Sequence, residues 1–117
     1  VKEVLNLHEK KIINGCANIT GGGLKDNIVR IIPDGLCAKI DLNKIKIQPI
    51  FNWLKNQGVN EKEMLRTFNC GIGFCLIIDK KYLKIIQKTF NKNNKPYVIG
   101  KIIKGNIKYL PNGKINW

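Results

Sequence analysis

Strand-like and helix-like patterns alternate along the 117 residues of this chain, and this alternation restricts its fold more than any other feature. Alternating or continuous apolar residues predict strands, whereas apolar residues three or four positions apart predict helices. Sheets and helices bury their apolar faces against each other, so the pattern predicts a layered domain of the α/β or α+β class. The predicted strands are 12–19, 36–42, 72–78 and 95–103, and the predicted helices are 24–32, 48–58, 60–68 and 79–94.

These elements predict a mixed sheet of about four strands packed by helices. The segment 106–117 adds a small C-terminal hairpin that turns at Asn112-Gly113. The length suits one domain, 1–117. The chain does not begin with Met and opens on an amphipathic run, so we expect it to be part of a longer protein. No apolar run approaches the roughly 20 residues of a membrane span, and no signal-peptide pattern is present.

The net charge of +13 raises the possibility of nucleic-acid binding, but the kind of basic residue argues against it. The chain has 19 Lys and only 2 Arg, and proteins that read grooves or phosphates favour Arg, whose planar group pairs two oxygens at once. We therefore predict a solvated basic surface with no nucleic-acid partner and no membrane partner. Arg30 and Arg66 stand out in this background. One interpretation is that each side chain binds a phosphate or carboxylate group through two hydrogen bonds. The other is that each forms an ion pair within the protein.

The cysteines and the single histidine indicate no catalytic or metal chemistry of their own. Cys16, Cys37, Cys70 and Cys75 include no pair with the two-residue gap of zinc or redox motifs. Free cysteines in apolar runs behave as small hydrophobes, which favours a reducing, cytoplasmic location. His8 lies in the opening segment, away from any glycine turn. No metal ligands are predicted, and the catalytic residues are unknown.

The segment "NGCANITGGGLKDNIVR" joins a predicted strand to a predicted helix through Gly21, Gly22 and Gly23. Glycines remove the Cβ atoms that keep an anion away from backbone N–H groups, and Thr20 adds a hydroxyl beside them. The spacing fits neither a Walker A loop nor a dinucleotide fingerprint. Phosphate binding is one interpretation of this loop, and a tight turn without a ligand is the other.

A second motif, "RTFNCGIG", covers residues 66–73. Thr67 and Asn69 are short polar side chains at a helix end, and Gly71 follows at the start of an apolar strand. Polar groups at such a junction are well placed to orient a ligand. The alternative is a helix C-cap with Asn69 or Gly71 in the left-handed conformation.

Four segments, "ITGGGLKDNIVR", "PIFNWL", "EMLRTFNCGIG" and "YVIGKI", occur in an order and spacing that resemble one enzyme family. The family is the phosphoribosylformylglycinamidine cyclo-ligases, or aminoimidazole ribonucleotide synthetases, and the resemblance is to their C-terminal domain and covers residues 12 to about 104 of this chain. It implies ATP-dependent ring closure of formylglycinamidine ribonucleotide in purine biosynthesis by a two-domain homodimer. It further implies that ATP and Mg²⁺ are bound mainly by an N-terminal domain, so that the present chain alone is inactive.

The resemblance also implies that the C-terminal domain helps to bind substrate phosphate. Asn18 stands where the family usually has His, and unlike His it cannot titrate near neutrality. Val29 replaces a common Pro, and Phe74 replaces a common Met. The candidate phosphate-binding and substrate-binding residues are Asn18, Thr20, Gly21, Gly22, Gly23, Arg30, Thr67, Asn69 and Gly71.

Two alternatives to the cyclo-ligase interpretation stay open. Formylglycinamidine synthetase, selenophosphate synthetase and thiamine-monophosphate kinase are related ATP-dependent enzymes, but "RTFNCGIG" favours the cyclo-ligases over them. A stand-alone basic module that binds phosphate or RNA is the alternative from another class. Its RNA affinity would fall steeply with added salt.

Overall fold

The computed structural model of the chain describes residues 2–90 and 95–117, which form an α+β fold. The α-helices within these ranges are α1 (Lys2–Glu9), α2 (Gly23–Ile28), α3 (Pro49–Asn56), α4 (Glu61–Thr67) and α5 (Leu83–Thr89). The strands are β1 (Ile13–Asn18), β2 (Leu36–Asp41), β3 (Phe74–Ile78), β4 (Gly100–Lys104) and β5 (Tyr109–Asn112). Short 3₁₀ turns cover Val29–Ile31, Leu42–Lys44 and Lys80–Tyr82. The predicted fold class is confirmed.

The chain divides into two compact units, Val1–Cys16 with Leu76–Val98 and Ala17–Cys75 with Ile99–Trp117. The first unit is built on a small apolar core. Leu7, Ile12 and Ile86 are buried there, and Tyr82 and Phe90 pack against them. Tyr82, Ile86 and Phe90, all within the predicted helix 79–94, therefore face this core. The last part of that predicted helix, 91–94, lies outside the described residues.

The second unit contains a mixed three-stranded sheet with the order β4-β2-β5. Strand β2 pairs antiparallel with β4, where Ala38 faces Ile102, and parallel with β5, where Ala38 faces Tyr109. The central strand buries Cys37, Ala38 and Ile40. A single mixed sheet of about four strands was predicted, whereas the strands of the described residues form one sheet of three and one of two. The predicted strand 36–42 agrees with β2.

The C-terminal hairpin predicted at Asn112-Gly113 is wrong. Strand β5 forms its ladder with β2, with Asp41 opposite Asn112, so its backbone groups are paired before the predicted turn. Gly113 does take a left-handed conformation, with φ +77°. The next residue, Lys114, then donates its N–H to Asn43 Oδ1 at 3.2 Å. A neighbouring strand and one side chain therefore satisfy the groups that a hairpin would have paired.

Strand β3 pairs with β1 in a second, two-stranded sheet. Its run of apolar residues predicts a strand covered on both faces. None of the residues in β3 is fully buried, and Phe74 is 47% exposed. The expectation of two covered faces is therefore wrong. In a sheet of two strands, a continuous apolar run does not require the burial that it has at the centre of a wide parallel sheet.

Within the described ranges, no helix combines the length and apolar character that crossing a lipid bilayer requires.

Candidate functional site

The second unit brings the two glycine-containing motifs together. The N–H of Ile19, which follows β1, donates to the carbonyl of Gly73 at 2.9 Å. Gly23 lies against the end of α4, where a Cβ added to it would overlap the Leu65 carbonyl oxygen and lie 3.1 Å from that of Phe68. Segments some 45 residues apart thus form one neighbourhood, which sequence spacing alone does not predict.

The three glycines of the loop occupy different environments. Gly22 has φ +94°, and a Cβ there would lie 2.7 Å from Oδ2 of Asp26. Gly23 has φ +71° and packs on backbone atoms of α4. A Cβ on Gly21 would meet nothing within 4 Å. Packing and backbone conformation therefore account for Gly22 and Gly23, whereas Gly21 is the exposed position where the absence of a side chain leaves the backbone open to a ligand.

One backbone N–H group of the predicted phosphate-binding loop is already hydrogen-bonded within the loop. The Gly23 N–H donates to the Thr20 carbonyl at 3.1 Å. The helix that follows, α2, has only six residues, so the field of its dipole is small. Any anion held here would rely on the loop backbone and nearby side chains more than on the helix.

Asn27, which was not among the site residues predicted from the sequence, is buried beneath this loop and hydrogen-bonds to it. Its side chain is 4% exposed. Its Nδ2 donates to the Gly23 carbonyl at 2.7 Å and makes two longer contacts of 3.4 Å with the carbonyls of Thr20 and Gly21. The signal in the sequence was an Asn in the middle of a helix, where its side chain competes with the backbone and is therefore unfavourable unless it has partners.

Arg30 reaches the same amide from the surface. Its Nη1 lies 3.5 Å from Oδ1 of Asn27, and the Thr20 hydroxyl lies 3.5 Å from the same oxygen. Arg30 is otherwise exposed, so further guanidinium N–H groups face solvent. The side chain therefore contacts the residue that holds the loop and leaves other N–H donors exposed to solvent.

The polar side chains of Asn60 and Thr67, at the two ends of α4, are hydrogen-bonded to residues of the helix itself. Asn60 is its N-cap and accepts the Glu63 N–H at 2.8 Å, as Asn commonly does at this position. The Thr67 hydroxyl donates to Oε1 of Glu63 at 2.7 Å. Thr67 is exposed, and its oxygen keeps acceptor capacity.

Asn69 and Gly71 form a tight turn after α4. Oδ1 of Asn69 accepts the Gly71 N–H at 3.0 Å, and the Asn69 carbonyl accepts the Ile72 N–H at 3.0 Å. Cys70 and Gly71 both have positive φ, +52° and +96°. A Cβ on Gly71 would lie 3.1 Å from the Lys46 carbonyl. The alternative to ligand binding predicted a helix C-cap with Asn69 or Gly71 in the left-handed conformation. Gly71 does have that conformation, but the residue that caps the helix, Phe68, is extended.

Cys70 is a thiol at neutral pH. It is 3% exposed, its Sγ lies 3.5 Å from the Met64 carbonyl, and burial raises its pKa to about 11. Burial likewise raises the pKa of Cys75 to about 11. Cys37 is buried as expected for a small hydrophobe, whereas Cys16 is exposed, contrary to that expectation. A nucleophilic thiolate at Cys70 is therefore disfavoured.

All nine predicted site residues lie in the second unit. Asn18 is the exposed last residue of β1, two residues before the loop. Asn18 is near the loop because it precedes it in the sequence. Thr67 and Asn69 are near the loop for a different reason, since they lie at the end of α4, on which Gly23 packs. Across 2–90 and 95–117, no group of three or more His, Cys, Asp or Glu side chains is placed to hold a metal ion.

Comparison with known proteins identifies the family of the chain. The family model "AIR synthase related protein, C-terminal domain" matches residues 1–110, so the chain belongs to that family. The chain is 43% identical over 106 residues, 89% of its length, to phosphoribosylformylglycinamidine cyclo-ligase of Geotalea daltonii. It is 38% identical over 107 residues, 90% of its length, to the chloroplastic phosphoribosylformylglycinamidine cyclo-ligase of Arabidopsis thaliana.

A third relative, the trifunctional purine biosynthetic protein adenosine-3 of Chironomus tentans, is 43% identical over 105 residues, or 88% of the chain. The chain spans 30%, 28% and 8% of these three proteins. What it shares with them is therefore one domain-sized segment of a longer protein.

Proposed function

We propose that this chain is the C-terminal domain of a phosphoribosylformylglycinamidine cyclo-ligase. The complete enzyme would use ATP to close the imidazole ring of aminoimidazole ribonucleotide as a cytoplasmic homodimer. The observation that carries the proposal is the family match over 1–110, together with relatives that bear the cyclo-ligase name at 38% and 43% identity. The resemblance stated for "EMLRTFNCGIG" supports the same enzyme over its ATP-using relatives.

In the proposed reaction, ATP transfers its γ-phosphoryl group to the formyl oxygen of formylglycinamidine ribonucleotide. The internal nitrogen then attacks the activated carbon, and the former formyl oxygen leaves in inorganic phosphate. Positioning and charge neutralisation supply most of the catalysis in such phosphoryl chemistry. Mg²⁺ would supply charge neutralisation when bound, and its ligands would belong to the rest of the enzyme.

The residues of this chain are proposed to bind and orient substrate. The exposed backbone at Gly21 and the Thr20 hydroxyl would meet a substrate phosphate, with Arg30 beside them. Asn18 would add an amide at the end of β1. The turn at Thr67, Asn69 and Gly71 would orient the amide or ribose portion. Each of these groups binds by hydrogen bonds and needs no proton transfer of its own.

The proposal is tested by turnover of the full-length protein. With ATP, Mg²⁺ and formylglycinamidine ribonucleotide labelled with ¹⁸O in its formyl group, we expect aminoimidazole ribonucleotide and ADP in equal amounts. The label should appear in the released inorganic phosphate. Parallel reactions with thiamine monophosphate or with selenide serve as controls for the related enzymes. Turnover of one of these controls, with no aminoimidazole ribonucleotide formed, would overturn the proposal.

We expect Arg30→Lys to lower the kcat/KM of the full-length enzyme more than Lys25→Ala does. Lys keeps the charge but lacks the planar guanidinium, which contacts Asn27 through one nitrogen and faces solvent with its other N–H groups. Lys25 is exposed on the neighbouring α2 and is the matched control. Loss of a charged hydrogen bond costs roughly 1.5–3 kcal/mol, or about 10- to 160-fold in kcat/KM. Steady-state kinetics would contradict this prediction if both kcat and KM were unchanged in Arg30→Lys.

A further inference from the structure

Asn27 is the one buried polar side chain of the described residues, and its contacts are concentrated on the loop Thr20–Gly23. Nδ2 contacts three of the four backbone carbonyls of that loop, those of Thr20, Gly21 and Gly23. Oδ1 faces the Thr20 hydroxyl and the Arg30 guanidinium. A single carboxamide therefore contacts both the backbone and the side chains of the candidate site.

The direction of these contacts determines where the loop N–H groups point. In a trans peptide unit, the carbonyl and the following N–H point in opposite directions, and every peptide bond described here is trans. The carbonyls of Thr20 and Gly21 are directed at the Asn27 amide. The N–H groups of Gly21 and Gly22 are therefore directed away from it, on the side where Gly21 is exposed.

We propose that Asn27 is a positioning residue that holds the Thr20–Gly23 loop with the N–H groups of Gly21 and Gly22 facing a bound phosphate group. This inference rests on the proposed function and deepens it. Asn27 itself is buried and does not touch the substrate. Its effect on the reaction passes through the loop and through Arg30, whose guanidinium it also orients.

The test uses Asn27→Ala in the full-length enzyme, with Ile28→Val as the control. Ile28 is equally buried at 4% exposure and lies on the same helix, but it makes no side-chain hydrogen bond to the loop. Ile→Val is a mild core substitution. Asn27→Ser, which keeps a short polar group, replaces Asn27→Ala if the latter does not fold.

Two measurements separate positioning from general destabilisation. The first is hydrogen exchange of the Gly23 amide in ¹⁵N-glycine-labelled protein. That N–H donates to the Thr20 carbonyl, which Asn27 also contacts. We expect exchange to be roughly tenfold faster in Asn27→Ala and unchanged in Ile28→Val. The second is KM, which should rise about tenfold for one of the two phosphate-bearing substrates and less than about twofold for the other.

Unchanged Gly23 exchange overturns the inference, and so does faster exchange without a selective rise in KM. Equal effects of Asn27→Ala and Ile28→Val on kcat and on both KM values overturn it too. The proposed function fails separately, when the wild-type protein forms no aminoimidazole ribonucleotide. In that case the same variants are titrated with inorganic phosphate. Weaker binding by Asn27→Ala alone supports the positioning role, and equal binding by all three proteins overturns it.

Discussion

Replacing Gly23 by Ala is expected to unfold much of the second unit or to lower its free energy of unfolding by about 2–5 kcal/mol. Two costs combine at this position. Gly23 has φ +71°, which costs an L-residue roughly 1–2 kcal/mol. The new Cβ also overlaps the Leu65 carbonyl oxygen, and overpacking of this kind costs typically about 1–3 kcal/mol. Because the opposing atoms are backbone, no change of rotamer relieves the overlap.

The chain offers two glycines that separate these costs. Gly58 has φ +100° but open space around its Cβ position, so Gly58→Ala reports the backbone conformation alone. Gly21 has open space and no positive φ, so Gly21→Ala should change stability by less than about 0.5 kcal/mol. Urea denaturation followed by the fluorescence of Trp53 and Trp117 measures all three. A Gly23→Ala midpoint equal to that of Gly58→Ala would show that the contact with α4 is not as close as described.

This comparison also shows how far the sequence predicts the candidate site. The pattern locates the loop and the turn after α4, because glycines, short polar residues and caps leave local signals. It does not reveal that Gly23 serves packing while Gly21 is open, since that difference depends on Leu65, which is 42 positions further along the chain. Asn27 was missed for a related reason. Its role depends on three carbonyls whose directions are set only when the loop folds.

The same distinction applies to the fold. The strand 36–42 depends on a local pattern of apolar residues, and it was predicted from the sequence. The pairing of β5 with β2 joins residues about 70 positions apart, and a local turn signal at Asn112-Gly113 pointed to a hairpin instead. The burial of β3 was overestimated because an apolar run carries no information about how many strands lie beside it.

The chain on its own is expected to fold but to form no aminoimidazole ribonucleotide. Folding is expected because the second unit buries apolar side chains of its own, among them Met64 and the β2 residues Cys37 and Ala38. Inactivity is expected because the candidate residues supply amide, hydroxyl and guanidinium groups, whereas ATP chemistry requires a divalent cation held by several oxygen ligands. In the proposed enzyme those ligands belong to the remaining part, since this chain spans only 28–30% of the cyclo-ligases it matches.

The measurement compares the purified chain with the full-length enzyme at equal concentration, using ATP, Mg²⁺ and formylglycinamidine ribonucleotide. A cooperative urea transition first establishes that the chain is folded. We then expect product from the full-length enzyme and none above background from the chain. A preparation of the Gly23→Ala chain, made from the same host, controls for contaminating host enzyme. Turnover by the wild-type chain that is absent from this control would place the complete active site within these 117 residues.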